Sequence, residues 1–148
     1  MLISLFLGSG LAQTSLLAPV AEDKAALCWV DSVMQTLDRR ARVAQLFMPV
    51  VSSQPGNGWP EKIDNWVSEQ GIGGLFFDRG SIEQQAFATS KAQAKAKVPL
   101  MVAADAEWGL AMRLKGTPSF PKNRVLGCIQ DNELLYEYGL EVAKQCRA

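Results

Sequence analysis

Three observations predict an α/β fold built on a parallel sheet. Short apolar runs alternate with segments of helical periodicity, the runs are continuously apolar instead of alternating, and each gives way to polar or acidic residues. Strands covered on both faces by their crossover helices read in this way, whereas half-exposed antiparallel strands alternate.

Each element follows in order. Trp29, Val30, Val33, Met34 and Leu37 recur at helical spacing and predict a first helix. Thr36 is expected to cap a second helix reaching Ala44, with Asp38 in its first turn, where a carboxylate meets the positive end of the helix. The run Leu46 to Ser52, LFMPVVS, reads as the first strand, with a loop through Gly56 behind it. Pro60 suits the first position of a helix, Ile63, Trp66 and Val67 give it an apolar face, and Gly71 stops it. Gly73 to Asp78, GGLFFD, is the second strand and ends in an acid. Ser81 with Gln84 three residues on forms a capping box opening an alanine-rich helix to about Ala96. Pro99 stands at the start of the third strand, LMVAAD, where its missing amide is tolerated. A less regular region with Gly109, Gly116, Pro118 and Pro121 follows, and Asp131 caps a last helix with Leu135, Tyr138, Val142 and Cys146 on one face.

Composition narrows the functions. The 148 residues are 48% hydrophobic, and 15 basic side chains balance 15 acidic ones. Zero net charge without a long basic run argues against a nucleic-acid partner. The Lys91, Lys95, Lys97 cluster reads as a solvated helix face. The sequence has no histidine, which removes the commonest general base and any Ser-His or Cys-His pair. Cys28, Cys128 and Cys146 form no CxxC, so no metal site is expected. Buried free thiols are the expected state, with a Cys128–Cys146 bridge as the alternative.

Residues 1–22 read as an export signal and a flexible start to the mature chain, leaving 23–148 as the folded part. The apolar stretch Leu2 to Ala12 is shorter than the ~20 residues a membrane span needs, and Gly10 and Ala12 before Gln13 resemble a cleavage site. No Lys or Arg precedes the apolar core, and the competing reading is a buried N-terminal segment. No cysteine directly follows the run, so a lipid anchor is not expected, and the mature chain is expected to be periplasmic or secreted without membrane anchoring.

Within the parallel α/β class both a (β/α)8 barrel and an open doubly wound sheet fit. Neither G-x-G-x-x-G nor G-x-x-x-x-G-K-[ST] occurs, so a nucleotide site lacks its phosphate loop. A barrel takes roughly 250 residues, and this chain supplies three βα units.

The stretch PLMVAADAEWG, Pro99 to Gly109, is where chemistry concentrates. The carboxyl ends of parallel strands face the active site in both architectures. Asp105 stands at such an end, and so does Asp78. A carboxylate placed there can accept hydrogen bonds from vicinal sugar hydroxyls, Trp108 can offer an apolar ring face, and Arg113 can donate to hydroxyls or pair with Glu107. The bland alternative is that an aspartate closing a strand caps a helix or shapes a turn.

A resemblance shifts that balance. Arg42-Val43-Ala44-Gln45-Leu46, then Gly73-Gly74-Leu75, then Asp105-Ala106-Glu107-Trp108-Gly109-Leu110-Ala111-Met112-Arg113 resemble, in order and at the right intervals, motifs of the N-terminal (β/α)8 domain of glycoside hydrolase family 3. The similarity runs from about Trp29 to Arg147 and looks closest to the β-N-acetylhexosaminidase branch. It implies a partial TIM barrel, the first three βα units plus an N-terminal helix. It also implies a retaining glycosidase that removes terminal β-linked N-acetylhexosamine residues from a carbohydrate substrate, without metal or organic cofactor. Asp105 matches the aspartate that binds sugar hydroxyls at the cleavage subsite; Arg113 and Glu107 match the motif's last arginine and its acid, in supporting roles. Trp108 stands where the family usually has glycine and Leu110 where it often has arginine, so the substrate contacts are expected to differ in detail.

The resemblance also implies that the nucleophile, an aspartate on a later strand, and the acid/base, a histidine paired with an aspartate, lie beyond these residues. No residue here is therefore read as catalytic, and the chain alone is expected to be inactive. Two further readings compete: a non-catalytic α/β module binding a ligand or partner, and an open-sheet enzyme using Asp78 and Asp105.

Overall fold

A computed structural model describes residues 23–56 and 58–147; the export-signal reading of residues 1–22 lies outside them. Helix α1 (Lys24–Thr36) begins at Asp23, whose carboxylate accepts from the Ala25 and Ala26 amides. The second helix, α2 (Arg39–Ala44), is capped by Asp38, which sits outside the helix in extended backbone and accepts from the Ala41 amide. Thr36 was the expected cap, but its hydroxyl is already used within α1, donating to the Val33 carbonyl.

Strand β1 (Val50–Val51) is shorter than the expected run. Leu46 and Phe47 lie in the turn that closes α2 instead, their amides donating to the Val43 and Ala44 carbonyls. Pro60 takes the second position of α3 (Trp59–Asp64), which widens into a π-helical turn, Asn65–Gln70, before stopping at Gly71. Next come β2 (Gly74–Phe77), β3 (Gly80–Ser81) and α4 (Ile82–Lys95). The capping box at Ser81 and Gln84 is complete in both directions.

Strand β4 (Met101–Ala104) is the third long-range strand, and a 3-10 turn, Leu110–Met112, leads into β5 (Leu114–Lys115). A short α5 (Asn123–Leu126) precedes α6 (Asn132–Arg147). Asp131 accepts from the Glu133 amide at the start of α6, where the sequence placed a cap. On the expected face Val142 is buried and Leu135, Tyr138 and Cys146 are half-buried.

Strands β1, β2 and β4 pair in parallel in that order, with Val51 beside Phe77 and Phe77 beside Ala104. A second, two-stranded parallel pairing joins β3 to β5, Gly80 opposite Leu114. Side chains alternate across a strand, so Val51, Leu75 and Phe77 share one sheet face. They form the core with Ile63 and Val67 of the helix after β1 and with Ala88 and Ala92 of α4. The opposite face carries Val50, 64% exposed, and Met101, 43% exposed. The continuous apolar runs predicted cover on both faces; among the described residues the helices seal one.

Gln45 ties the two ends of the first unit together, its side-chain amide donating to the Gly71 carbonyl at 2.8 Å. All three cysteines are unpaired. They are not buried as expected: Cys28 lies on α1, where no residue is buried, Cys128 is exposed, and Cys146 is half-buried, its thiol pushed up by desolvation. Lys91 and Lys95 are not simply solvated. Both reach Asp64 across the α3–α4 contact, Lys95 at 2.7 Å.

Candidate functional site

The site is assembled by strand register. Phe77 pairs with Ala104, so the residues that follow, Asp78 and Asp105, emerge side by side from the carboxyl ends of neighbouring strands. Adjacent strands are about 4.8 Å apart, and two like charges at such spacing repel. Arg113 resolves the conflict. One of its terminal nitrogens, Nη2, donates to Asp105 Oδ2 at 2.7 Å, while Nη1 reaches Asp78 Oδ1 at 3.2 Å.

Neither acid does the ordinary work of a residue closing a strand. The cap of α4 is Ser81, and the turn at Leu110–Met112 has no side-chain cap. The reading of these aspartates as helix caps therefore has no support in the geometry.

The backbone holds the three side chains in place. The Gly80 amide donates to the Arg113 carbonyl, and the β3–β5 pairing continues directly from it. Gly80 is packed so closely on the buried Ser53 that a Cβ there would overlap the serine hydroxyl. The loop after Asp105 is fixed from the other side. The Tyr138 hydroxyl of α6 donates to the Glu107 carbonyl at 3.0 Å, and burial pushes this hydroxyl above its ordinary value of 10.0, so it stays a donor at neutral pH. Gly109 has φ +88, and Phe120 leaves no room for a Cβ there. Phe120 in turn meets Tyr138 edge to face, with ring centroids 5.0 Å apart. Aromatic packing and one hydrogen bond thus clamp the loop from Ala106 to Gly109 onto the last helix.

The expected residues are therefore partly brought together. Asp105 and Arg113 meet directly. Glu107 is exposed, and the pairing with Arg113 that its position suggested does not form: among the described residues its backbone carbonyl, and not its carboxylate, is engaged in the site. Trp108 is half-exposed with the Lys122 ammonium 5.4 Å from its ring centre, a cation–π distance. Asp78 closes a strand as the sequence indicated, but its shared arginine was not legible there. Its signal was present only in the parallel between two strands that each end in an acid.

Among the described residues no group of three or more histidine, cysteine, aspartate or glutamate side chains is arranged to hold a metal ion. The arrangement can do one thing plainly. Asp105 Oδ2 is occupied by Arg113, while Oδ1 has no partner among the described residues, so it offers a fixed acceptor at the rim where a hydroxyl can donate.

Comparison with known proteins gives the family. A search of curated proteins returned no match. Among solved structures, the fold is similar to that of a beta-glucoside phosphorylase, BglX, bound to 2FGlc, with a TM-score of 0.54 and 20% identity. The similarity covers 62% of this chain and 16% of that one, so the chain spans a small part of that protein's length. The model of the glycosyl hydrolase family 3 N-terminal domain matches residues 37–148, and the chain belongs to glycosyl hydrolase family 3.

Proposed function

We propose that this chain supplies one wall of the sugar site in an exported, retaining β-N-acetylhexosaminidase. Asp105 accepts hydroxyl hydrogen bonds at the cleavage subsite, with Arg113 fixing its carboxylate and Glu107 shaping the rim. The observation that carries the reading is Arg113 bridging two aspartates at neighbouring strand ends, which leaves one Asp105 oxygen free.

The surrounding fold is compatible with it. Strands β1, β2 and β4 are parallel and follow one another in chain order, an arrangement that successive barrel strands share with one half of a doubly wound sheet. The uncovered sheet face, with Val50 and Met101, then faces the barrel interior, to be closed by further strands.

Retaining glycosidases need a nucleophilic carboxylate and an acid/base group flanking the scissile bond. Asp105 and Glu107 come from one segment and cannot flank it. With no histidine in the sequence, a histidine acid/base has to come from outside these 148 residues, as does the nucleophile in this reading. The chain therefore binds and orients, and other strands perform the double displacement.

The test compares hydrolysis of a chromogenic β-N-acetylglucosaminide by this chain and by a polypeptide extended through the remaining barrel strands, with a β-glucoside as control. Cleavage of the N-acetylglucosaminide by the extended protein alone is expected. Preference for the glucoside would move the specificity to another branch of the family. Cleavage by the 148 residues themselves would overturn the assignment of the chemistry to other strands, and no cleavage by either folded protein would favour a non-catalytic binding module.

A further inference from the structure

We propose that Asp78 is the positioning residue of this site: it anchors the Arg113 guanidinium and, through it, aims the Asp105 carboxylate. The inference rests on the sugar-site reading.

The two aspartates that share Arg113 are not equivalent. Asp78 is held on every side. Its amide donates to the Val51 carbonyl of the neighbouring strand at 3.0 Å, and the preceding Phe77 is completely buried. Two residues on, Gly80 is locked against Ser53 and bonded to the Arg113 carbonyl. Asp105 follows β4, in which only Ala103 is buried, and runs directly into the loop from Ala106 to Gly109; Arg113 is its only side-chain partner among the described residues.

The oxygens divide the same way. Asp78 Oδ1 takes Arg113 Nη1, and Oδ2 takes Arg79 Nε at 3.3 Å, so both of its oxygens face arginines. Asp105 gives Arg113 one oxygen and keeps the other. An arginine facing a single carboxylate favours a two-pronged grip on both of its oxygens. By engaging Nη1, Asp78 turns that grip into a bridge and leaves Asp105 Oδ1 for substrate. Asp78 touches no sugar in this scheme; it acts through Arg113.

Stability does not explain the arrangement. The Asp78 and Asp105 side chains are 35% and 37% exposed and that of Arg113 24%, so water screens these ion pairs in part and their contribution to folding is modest.

The test uses the 148-residue chain and its Asp78→Ala, Asp78→Asn and Asp105→Ala variants, with two readouts. The first is the guanidinium NMR signals of Arg113, assigned with Arg113→Lys; the second is titration with N-acetylglucosamine. A guanidinium held at both ends rotates slowly and gives resolved Nη signals. The proposal expects the resolved pattern in the wild type and in Asp78→Asn, whose side-chain carbonyl can still take Nη1, and a shifted pattern in Asp78→Ala, where Arg113 turns its grip onto both Asp105 oxygens. It also expects Asp78→Ala to weaken sugar binding about tenfold, the loss of roughly one charged hydrogen bond, with recovery in Asp78→Asn. The thermal midpoints should stay within about 4 °C, as for an exposed ion pair.

Unchanged Arg113 signals in Asp78→Ala overturn the proposal. So does wild-type sugar affinity in Asp78→Ala when Asp105→Ala has lost binding. Absence of binding even in the wild type would fail the sugar-site reading instead, and the guanidinium signals would still decide whether Asp78 anchors Arg113.

Discussion

The two faces of the β1-β2-β4 sheet are made from the same apolar strands and have opposite fates. On one, Val51, Leu75 and Phe77 are sealed beneath α3, the π-helical turn and α4. On the other, Val50 and Met101 remain open to solvent although their composition is just as apolar. Burial of the first face holds the unit together, since transfer of apolar surface from water is the main favourable contribution to folding. The second face contributes little to the stability of this chain; in the proposed reading it is the side that further barrel strands would cover. The site sits where the two faces end, on the rim formed by Asp78 and Asp105.

The comparison is broken most sharply by truncating one residue on each face. Phe77→Ala should destabilise the chain by about 3–5 kcal/mol in urea unfolding, while Met101→Ala should cost well under about half as much, because part of that side chain is already in water. Equal losses would mean that the open face is covered in solution. A smaller effect is expected at the loop that carries the site. Gly109→Ala places a Cβ at φ +88 against Phe120 and should cost about 1–3 kcal/mol, shifting the Tyr138 side-chain resonances; an unperturbed Tyr138 would detach the loop from α6.

The smallest effect concerns the α3–α4 contact on the sealed side. The hydrogen bond from Lys95 holds the Asp64 carboxyl below its ordinary value of 3.8. A lowered folded-state value means that the stabilisation is present above that ordinary value and is lost as pH falls through the lowered one. Asp64→Asn should therefore lower stability slightly at neutral pH and flatten the acid limb by the same small amount, converging with the wild type in acid; an identical acid limb would remove Asp64 from the account.

Much of this organisation was legible in the sequence because it depends on local rules. The Ser81–Gln84 capping box, the stop at Gly71 and the strand Gly74–Phe77 follow from side-chain reach, helix termination and apolar run length. The parallel pairing followed from continuous apolar runs. Two local choices were decided by competition the sequence does not display. Thr36 bonds back into α1, which leaves capping of α2 to Asp38, and Leu46 and Phe47 are drawn into the turn after α2, which shortens β1. The site was half legible. Asp105 and Arg113 stood out by motif, but the contact between Arg113 and Asp78 joins residues 35 positions apart through the β3–β5 pairing, two strands of two residues each. Pairings so short leave no periodic signature, and so Glu107 looked like the nearer partner for Arg113.

The most direct test of the central claim, that Asp105 presents a fixed oxygen to the sugar, is kcat/KM for β-N-acetylglucosaminide hydrolysis by the barrel-extended protein with Asp105→Ala. The loss of hydrogen bonds to a charged acceptor predicts a fall of about a hundredfold with the fold intact. A variant that folds and retains wild-type kcat/KM would contradict the account and remove Asp105 from the sugar site.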